Sequence, residues 1–165
     1  MILITGGIKS GKSNFALQMA KNFKRRAFLA TGVAFDEEMK TRIEKHKQER
    51  GSDFQTYEEP VEVPKVLKVI ENEYDVVVFD CLTTYLGNLM YYNLEVQSYI
   101  DDLISTLSTL KCEAIIITNE TGWGIIPDNQ LARQYVEMLG KINSKIANLS
   151  KEVYVMISGI GVKLK

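Results

Sequence analysis

Cysteine is scarce: Cys81 and Cys112 are the only two in 165 residues, and they show neither metal-ligand spacing nor a framework partner. That excludes a disulfide-stapled scaffold and fits thiols kept reduced. Charge of either sign is not in excess. The net charge of −1 and pI of about 5.9 leave no bulk basic field for nucleic acid or an anionic membrane. Long apolar runs are missing too. The strongest, Val76-Val77-Val78-Phe79, is strand-sized and far too short to span a bilayer. Met1 runs directly into an apolar segment, so no targeting peptide is expected and the chain is expected in the cytoplasm. With three prolines and no repeat, linker or low-complexity tract, residues 1–165 are expected to form a single domain. Histidine and tryptophan occur once each, as His46 and Trp123, so both invite scrutiny.

What is present is an alternation of two periods. Strand-length apolar runs occur at Ile2–Thr5, Ala27–Thr31, Val76–Phe79, Ala114–Thr118 and Val153–Ser158. Helical spacing covers about 12–23, 36–50, 61–72, 94–110 and 128–149 between them. Alternating β and α with near-continuous apolar strands predicts an α/β fold, a mostly parallel, doubly wound sheet covered on both faces. Phe54–Glu58 has the makings of a short additional strand, and Val162–Lys165, after Gly159-Ile160-Gly161, of an antiparallel C-terminal edge strand. Ligands of such sheets bind beyond the carboxyl ends of the strands. Polar and glycine residues gather at those points, including Ala30-Thr31-Gly32-Val33, Asp80-Cys81-Leu82-Thr83-Thr84, Asn119–Gly124 and Gly159.

The first strand leads into Gly6-Gly7-Ile8-Lys9-Ser10-Gly11-Lys12-Ser13, which fits the phosphate-binding pattern G-x-x-x-x-G-K-[ST]. A loop wrapped around a triphosphate turns its N–H groups inward, and Gly6, Gly7 and Gly11 are the residues expected to tolerate the dihedral angles required. Lys12 sets an ammonium against the β- and γ-phosphates, and the Ser13 hydroxyl is a candidate ligand for Mg²⁺. The helix that follows points its positive end at the anion. A glycine-rich turn after a strand is the plain alternative. Strand, complete motif and helix in the right order favour a nucleoside triphosphate.

Tyr74–Asp80 is an apolar strand ending in an acid, so Asp80 either sits by the Mg²⁺ shell or simply caps the next helix. Residues 36–50 place acids first and bases last, as a helix dipole favours. His46 lies there among Lys45, Lys47 and Arg50. Two readings are open: a helix-surface residue, or a nucleophile whose pKa the neighbouring cations lower. The stripe Leu131, Tyr135, Met138, Leu139, Ile142, Ile146 and Leu149 is expected to be core packing.

Over essentially its whole length the chain resembles the adenosylcobinamide kinase/adenosylcobinamide-phosphate guanylyltransferase family of cobalamin biosynthesis. The resemblance runs through Gly6–Ser13, Ala30-Thr31-Gly32, Asp36–Met39, Arg42-Ile43, His46, Glu58-Glu59-Pro60 and Asp80–Thr83. It continues through Thr118-Asn119-Glu120, Gly122, Gly124-Ile125, Pro127, Asn129, Leu131-Ala132-Arg133 and Ser158–Lys163. It implies one P-loop enzyme with two reactions: phosphorylation of adenosylcobinamide by a nucleoside triphosphate, ATP or GTP, and transfer of GMP from GTP to the resulting phosphate. The second reaction would pass through a guanylyl-histidine on His46 and release pyrophosphate. The resemblance further implies nucleotide contacts at Gly6, Gly7, Ile8, Lys9, Ser10, Gly11, Lys12, Ser13, Thr31, Gly32, Val33, Lys47, Gln48, Glu49, Arg50, Glu58 and Asp80. Glu58 would face the donor edge of guanine, Ser13 and Asp80 the metal, and the assembly would be a homotrimer. Phe54 stands where the family usually carries tryptophan, preserving an aromatic wall of smaller size.

Overall fold

The computed structural model describes residues 1–33, 37, 41 and 53–165. Among the described residues seven strands form one sheet: β1 (Ile2–Gly6), β2 (Arg26–Ala30), β3 (Gln55–Glu58), β4 (Val76–Asp80), β5 (Glu113–Ile117), β6 (Glu152–Ile157) and β7 (Ile160–Lys163). Their order is β3-β2-β4-β5-β1-β6-β7, parallel throughout except for the antiparallel β6–β7 pair. Among the described residues the helices are α1 (Lys12–Ala20), α2 (Val63–Ile70), α3 (Leu82–Tyr91), α4 (Val96–Thr109) and α5 (Gln130–Leu149).

The central strands are apolar on both faces because both faces are covered. Leu3, Val77, Phe79, Ala114 and Ile116 point into a large core with α2, α3, α4 and α5. Their alternates Ile2, Ile4, Val76, Val78, Ile115 and Ile117 point the other way, against Ala16 and Ala20 of α1 together with Phe28, Phe54 and Met156. The expected doubly wound α/β sheet is therefore present, and so is the antiparallel edge strand. The edge strand starts two residues earlier than expected, because Ser158 and Gly159 adopt positive φ (51° and 84°) and form a tight hairpin turn.

The structure adds to the expected elements and corrects one burial. Residues 82–91 form a helix absent from the expected elements, which place only Asp80 to Thr84 at the rim, and it buries Leu82, Tyr85, Leu86 and Leu89. Leu131 and Leu149, expected in the core stripe of α5, are exposed (65% and 48%). Phe54 is buried edge-on to Phe28 at 6.5 Å between ring centres, with the Arg26 guanidinium over its face. The expected helix 36–50 lies outside the described residues, apart from the isolated positions 37 and 41.

The path of the chain sets up a crevice. From β1 it leaves toward β2 on one side of the sheet, whereas the connection from β5 crosses β1 to reach β6 on the other. Such a reversal opens space at the carboxyl ends of the strands. The P-loop follows β1 there.

Candidate phosphate-binding and phosphotransfer site

Gly6 ends β1 with φ +141°, and a Cβ on it would come within 2.5 Å of the Met156 carbonyl oxygen. Gly11, with φ +93°, occupies the left-handed N-cap position of α1 and brings no side chain to cap the helix. The first N–H groups of α1 are thus left without a side-chain partner at their cap, which is the condition for anion binding at a helix N-terminus. Gly7 departs from expectation. It has ordinary φ, and the third positive φ of the loop falls on Lys9 (55°) instead. Gly7, Ile8 and Lys9 form an exposed tip, while Ser10 anchors the loop by accepting from the Gly159 N–H at 3.1 Å.

Lys12 folds back into this loop and is buried. Its ammonium donates to the Gly7 carbonyl at 2.6 Å and lies 3.3 Å from that of Gly6. Burial pulls its pKa below the ordinary lysine value, with Cys81 and Asp80 nearby opposing that shift. One residue on, Ser13 Oγ donates to Asp80 Oδ2 at 2.9 Å. The end of β4 therefore meets the start of α1, and Asp80 stands at the phosphate loop. Capping of α3 falls to Cys81, whose sulfur accepts from the Thr84 N–H at 3.4 Å. Among the described residues no three His, Cys, Asp or Glu side chains cluster as a metal cage. The hard oxygens of Ser13 and Asp80 fit Mg²⁺ of the kind held by one or two protein oxygens and completed by substrate phosphates.

The neighbouring rim residues divide by role. Thr31 is fully buried, and its hydroxyl accepts from the Cys81 N–H and donates to the Cys81 carbonyl, both at 2.9 Å. That side chain ties β2 to the end of β4, holding Asp80 in place. Gly32 is exposed and Val33 half-buried beyond it. Glu58 ends β3, exposed, in register with Ala30. His46, Lys47, Gln48, Glu49 and Arg50 lie outside the described residues.

A second constellation was not assigned any role from sequence. Beyond β5 the Thr118-Asn119-Glu120 tip is held by a polar network under it. Thr118 Oγ donates to Asn143 Oδ1 (2.8 Å), Asn143 Nδ2 to the Asn119 carbonyl (3.1 Å), and the Asn119 N–H to Thr83 Oγ (2.8 Å). The Tyr135 hydroxyl in turn donates to the Thr83 carbonyl at 2.8 Å. Outermost, Thr5 Oγ donates to Glu120 Oε1 at 2.6 Å. A buried asparagine in the apolar stripe of α5 was the available signal.

A P-loop after the first strand, an acid at the end of β4 hydrogen-bonded to its serine, and a rim of polar side chains define a phosphate-binding nucleotide enzyme of the α/β class. The sequence comparisons narrow the class. The family described as cobinamide kinase / cobinamide phosphate guanyltransferase matches residues 2–164. The bifunctional adenosylcobalamin biosynthesis protein CobU of Escherichia coli is 33% identical, covering 100% of this chain and 99% of its own length. Its namesake from Salmonella typhimurium is 32% identical with the same coverage, and CobP of Pseudomonas aeruginosa 32% identical over 99% and 96%. The chain belongs to the cobinamide kinase/cobinamide phosphate guanyltransferase family, and it is an enzyme of cobalamin biosynthesis.

Proposed function

We propose that this chain phosphorylates the hydroxyl of adenosylcobinamide from ATP or GTP, and then transfers GMP from GTP to that phosphate through a guanylyl-histidine on His46. The observation that carries the phosphoryl-transfer half is the buried Lys12 ammonium. Among the described residues it is held by loop carbonyls only, beside an α1 N-terminus that lacks a side-chain cap. An anion entering there replaces weak carbonyl contacts with full charge pairing. Gly6 to Ser13 would cradle the phosphates. Mg²⁺, when bound, would neutralise charge on the β- and γ-oxygens, with Ser13 and Asp80 as its protein ligands. Thr31, Gly32 and Val33 would border the nucleotide, Lys47 to Arg50 would contact it, and Glu58 would accept from the guanine donor edge that adenine lacks.

In the second reaction a neutral His46 nitrogen attacks the α-phosphorus of GTP, a P–N bond forms and pyrophosphate leaves with the electron pair of the broken P–O bond. The phosphate of adenosylcobinamide phosphate then attacks the same phosphorus, giving adenosylcobinamide-GDP and freeing the imidazole. A cytoplasmic homotrimer belongs to the same reading. The exposed Ile160 and Val162 of β7 offer apolar surface to a neighbouring copy. Among the described residues no helix is long and apolar enough to cross a membrane.

Labelling tests the reading directly. α-Labelled GTP should leave label on the protein and γ-labelled GTP should not, and the linkage should be acid-labile and base-stable. His46→Asn should abolish labelling and GMP transfer while phosphorylation of adenosylcobinamide persists. A variant that still forms adenosylcobinamide-GDP near the wild-type rate sinks the covalent route.

A further inference from the structure

We propose that Glu120 is the base that takes the proton from the acceptor hydroxyl in the phosphoryl-transfer reaction; the inference rests on the kinase reading above.

Position comes first. Glu120 follows β5, the immediate neighbour of the P-loop strand β1, and its N–H donates to the Gly6 carbonyl at 3.2 Å. That same carbonyl lies 3.3 Å from the Lys12 ammonium. Asp80 pairs in register with Ile117, so Glu120 stands three residues further along its chain than the level of the Ser13–Asp80 pair. Two acids thus border the phosphate loop: Asp80 meets Ser13, and Glu120 reaches Thr5 at the base of the loop, one residue past the level of Ile4 and Asp80.

The carboxylate is also oriented. Oε1 is fixed by the Thr5 hydroxyl, and the Thr83–Thr118–Asn143 network fixes the backbone beneath it. Among the described residues Oε2 has no hydrogen bond and Glu120 has no cationic partner. A half-buried carboxylate beside a triphosphate site repels the very anion the site binds. A purely structural role, accepting from Thr5 and donating through its N–H, would be met by glutamine without that repulsion. What glutamine lacks is an oxygen that takes up a proton.

The step balances simply. The acceptor O–H gives its proton to Glu120 Oε2 as its oxygen bonds the γ-phosphorus. The bond from γ-phosphorus to the bridging oxygen breaks, and its electron pair leaves on the nucleoside diphosphate. In the guanylyl half the acceptor is already an ionised phosphate, which has no proton to lose. The two reactions should therefore differ in their need for Glu120.

Glu120→Gln separates the possibilities, measured for ATP-dependent phosphorylation of adenosylcobinamide and, separately, for GMP transfer to supplied adenosylcobinamide phosphate. Phosphorylation should lose about 100-fold in kcat, the ordinary worth of a positioned base, with KM for ATP within about threefold. The acid limb of its pH profile should vanish, and Glu120→Asp should recover part of the rate. GMP transfer should stay within about threefold of wild type, because no base is needed there. Phosphorylation at an undiminished rate with the acid limb intact, or an equal loss in both reactions, would overturn the assignment. A wild-type chain that phosphorylates no cobinamide would instead remove the kinase reading itself.

Discussion

The two ends of the sheet use charged side chains in opposite ways. At the amino end, charges are matched across strands. Glu113, at the start of β5, meets both the amino terminus of Met1 and Lys151 ahead of β6. Arg25 and Asp75 join the entries to β2 and β4, and Lys111 meets Glu71 at 3.3 Å. At the carboxyl end, Lys12 rests on carbonyl oxygens, Asp80 accepts from a serine hydroxyl, and Glu120 accepts from a threonine. One end neutralises its ions internally and so fastens strands together. The other, among the described residues, sets Lys12 and Glu120 on neutral hydrogen-bond partners, which a phosphate or a proton can displace.

Removing Lys12 is the largest expected break in that contrast. Lys12→Ala should cost about 3–4 kcal/mol of transition-state stabilisation in each reaction that uses the loop. Melting temperature in the absence of nucleotide should fall little or even rise, because the ammonium is desolvated and, among the described residues, has no ion pair of its own. Enzyme kinetics beside thermal unfolding checks both halves. Rates within about threefold of wild type would mean the carboxyl end is as inert as the amino end.

How much of this was legible in the sequence depends on range. The P-loop and the buried strands show because their signals are local: a fixed glycine spacing and apolar runs between turns. Helix α3 follows Asp80 so closely that its first residues, Leu82 to Thr84, fall in the expected rim and no helix is expected after them, although the spacing of Leu82, Tyr85, Leu86 and Leu89 is helical; two threonines and Gly87 weaken the pattern. Leu131 and Leu149 misled for a geometric reason. No residue of α5 before Leu139 is buried, so Leu131 lies on an open part of the helix, and Leu149 turns outward between the buried Ile146 and Ser150. The Thr5–Glu120 bond joins residues 115 apart in the chain, and no local pattern reports such a pair. Gly7 and Lys9 exchanged roles because the motif fixes which glycines occur but not where the loop turns.

The next effect in size lies at the amino end and is a matter of stability. Burial alone would raise the Glu113 carboxyl, yet hydrogen bonds from Lys151 and the amino terminus hold it below the ordinary glutamate value. A carboxyl lowered on folding stabilises fully above its unfolded value. That contribution is lost as pH falls through the folded one, where the unfolded chain binds the proton first. Glu113→Gln should therefore cost about 2 kcal/mol at neutral pH, the worth of hydrogen bonds to charged groups, and flatten the acid limb of the stability curve. Kinetic constants should stay unchanged. Denaturant unfolding across the acid range measures it, and a curve parallel to wild type would show that the cluster is not coupled to folding.

The smallest expected effect is the sharpest check on why the amino end works. Arg25 and Asp75 have good geometry: Nη2 to Oδ1 at 2.6 Å, Nε to Oδ1 at 3.0 Å, and the Arg25 N–H to Oδ2 at 2.9 Å. The hydrogen bond from Arg25 lowers the Asp75 carboxyl, so this pair also loses its contribution as pH falls. By geometry alone it should rival Glu113. It differs in exposure, because the Arg25 side chain is 59% exposed and that of Asp75 33%, against 12% for Glu113. Water and salt screen an open pair, and ordering the long arginine side chain offsets much of the remaining attraction. Arg25→Ala should thus leave the melting temperature close to wild type at physiological salt, with a difference that shrinks further as salt rises. The Asp75 N–H to Arg25 carbonyl bond at 2.8 Å survives the substitution and keeps the strand entries aligned. A double-mutant cycle with Asp75→Ala isolates the pair. A coupling as large as the loss from Glu113→Gln would mean that bond geometry, and not burial, sets the worth of charge pairs at this end.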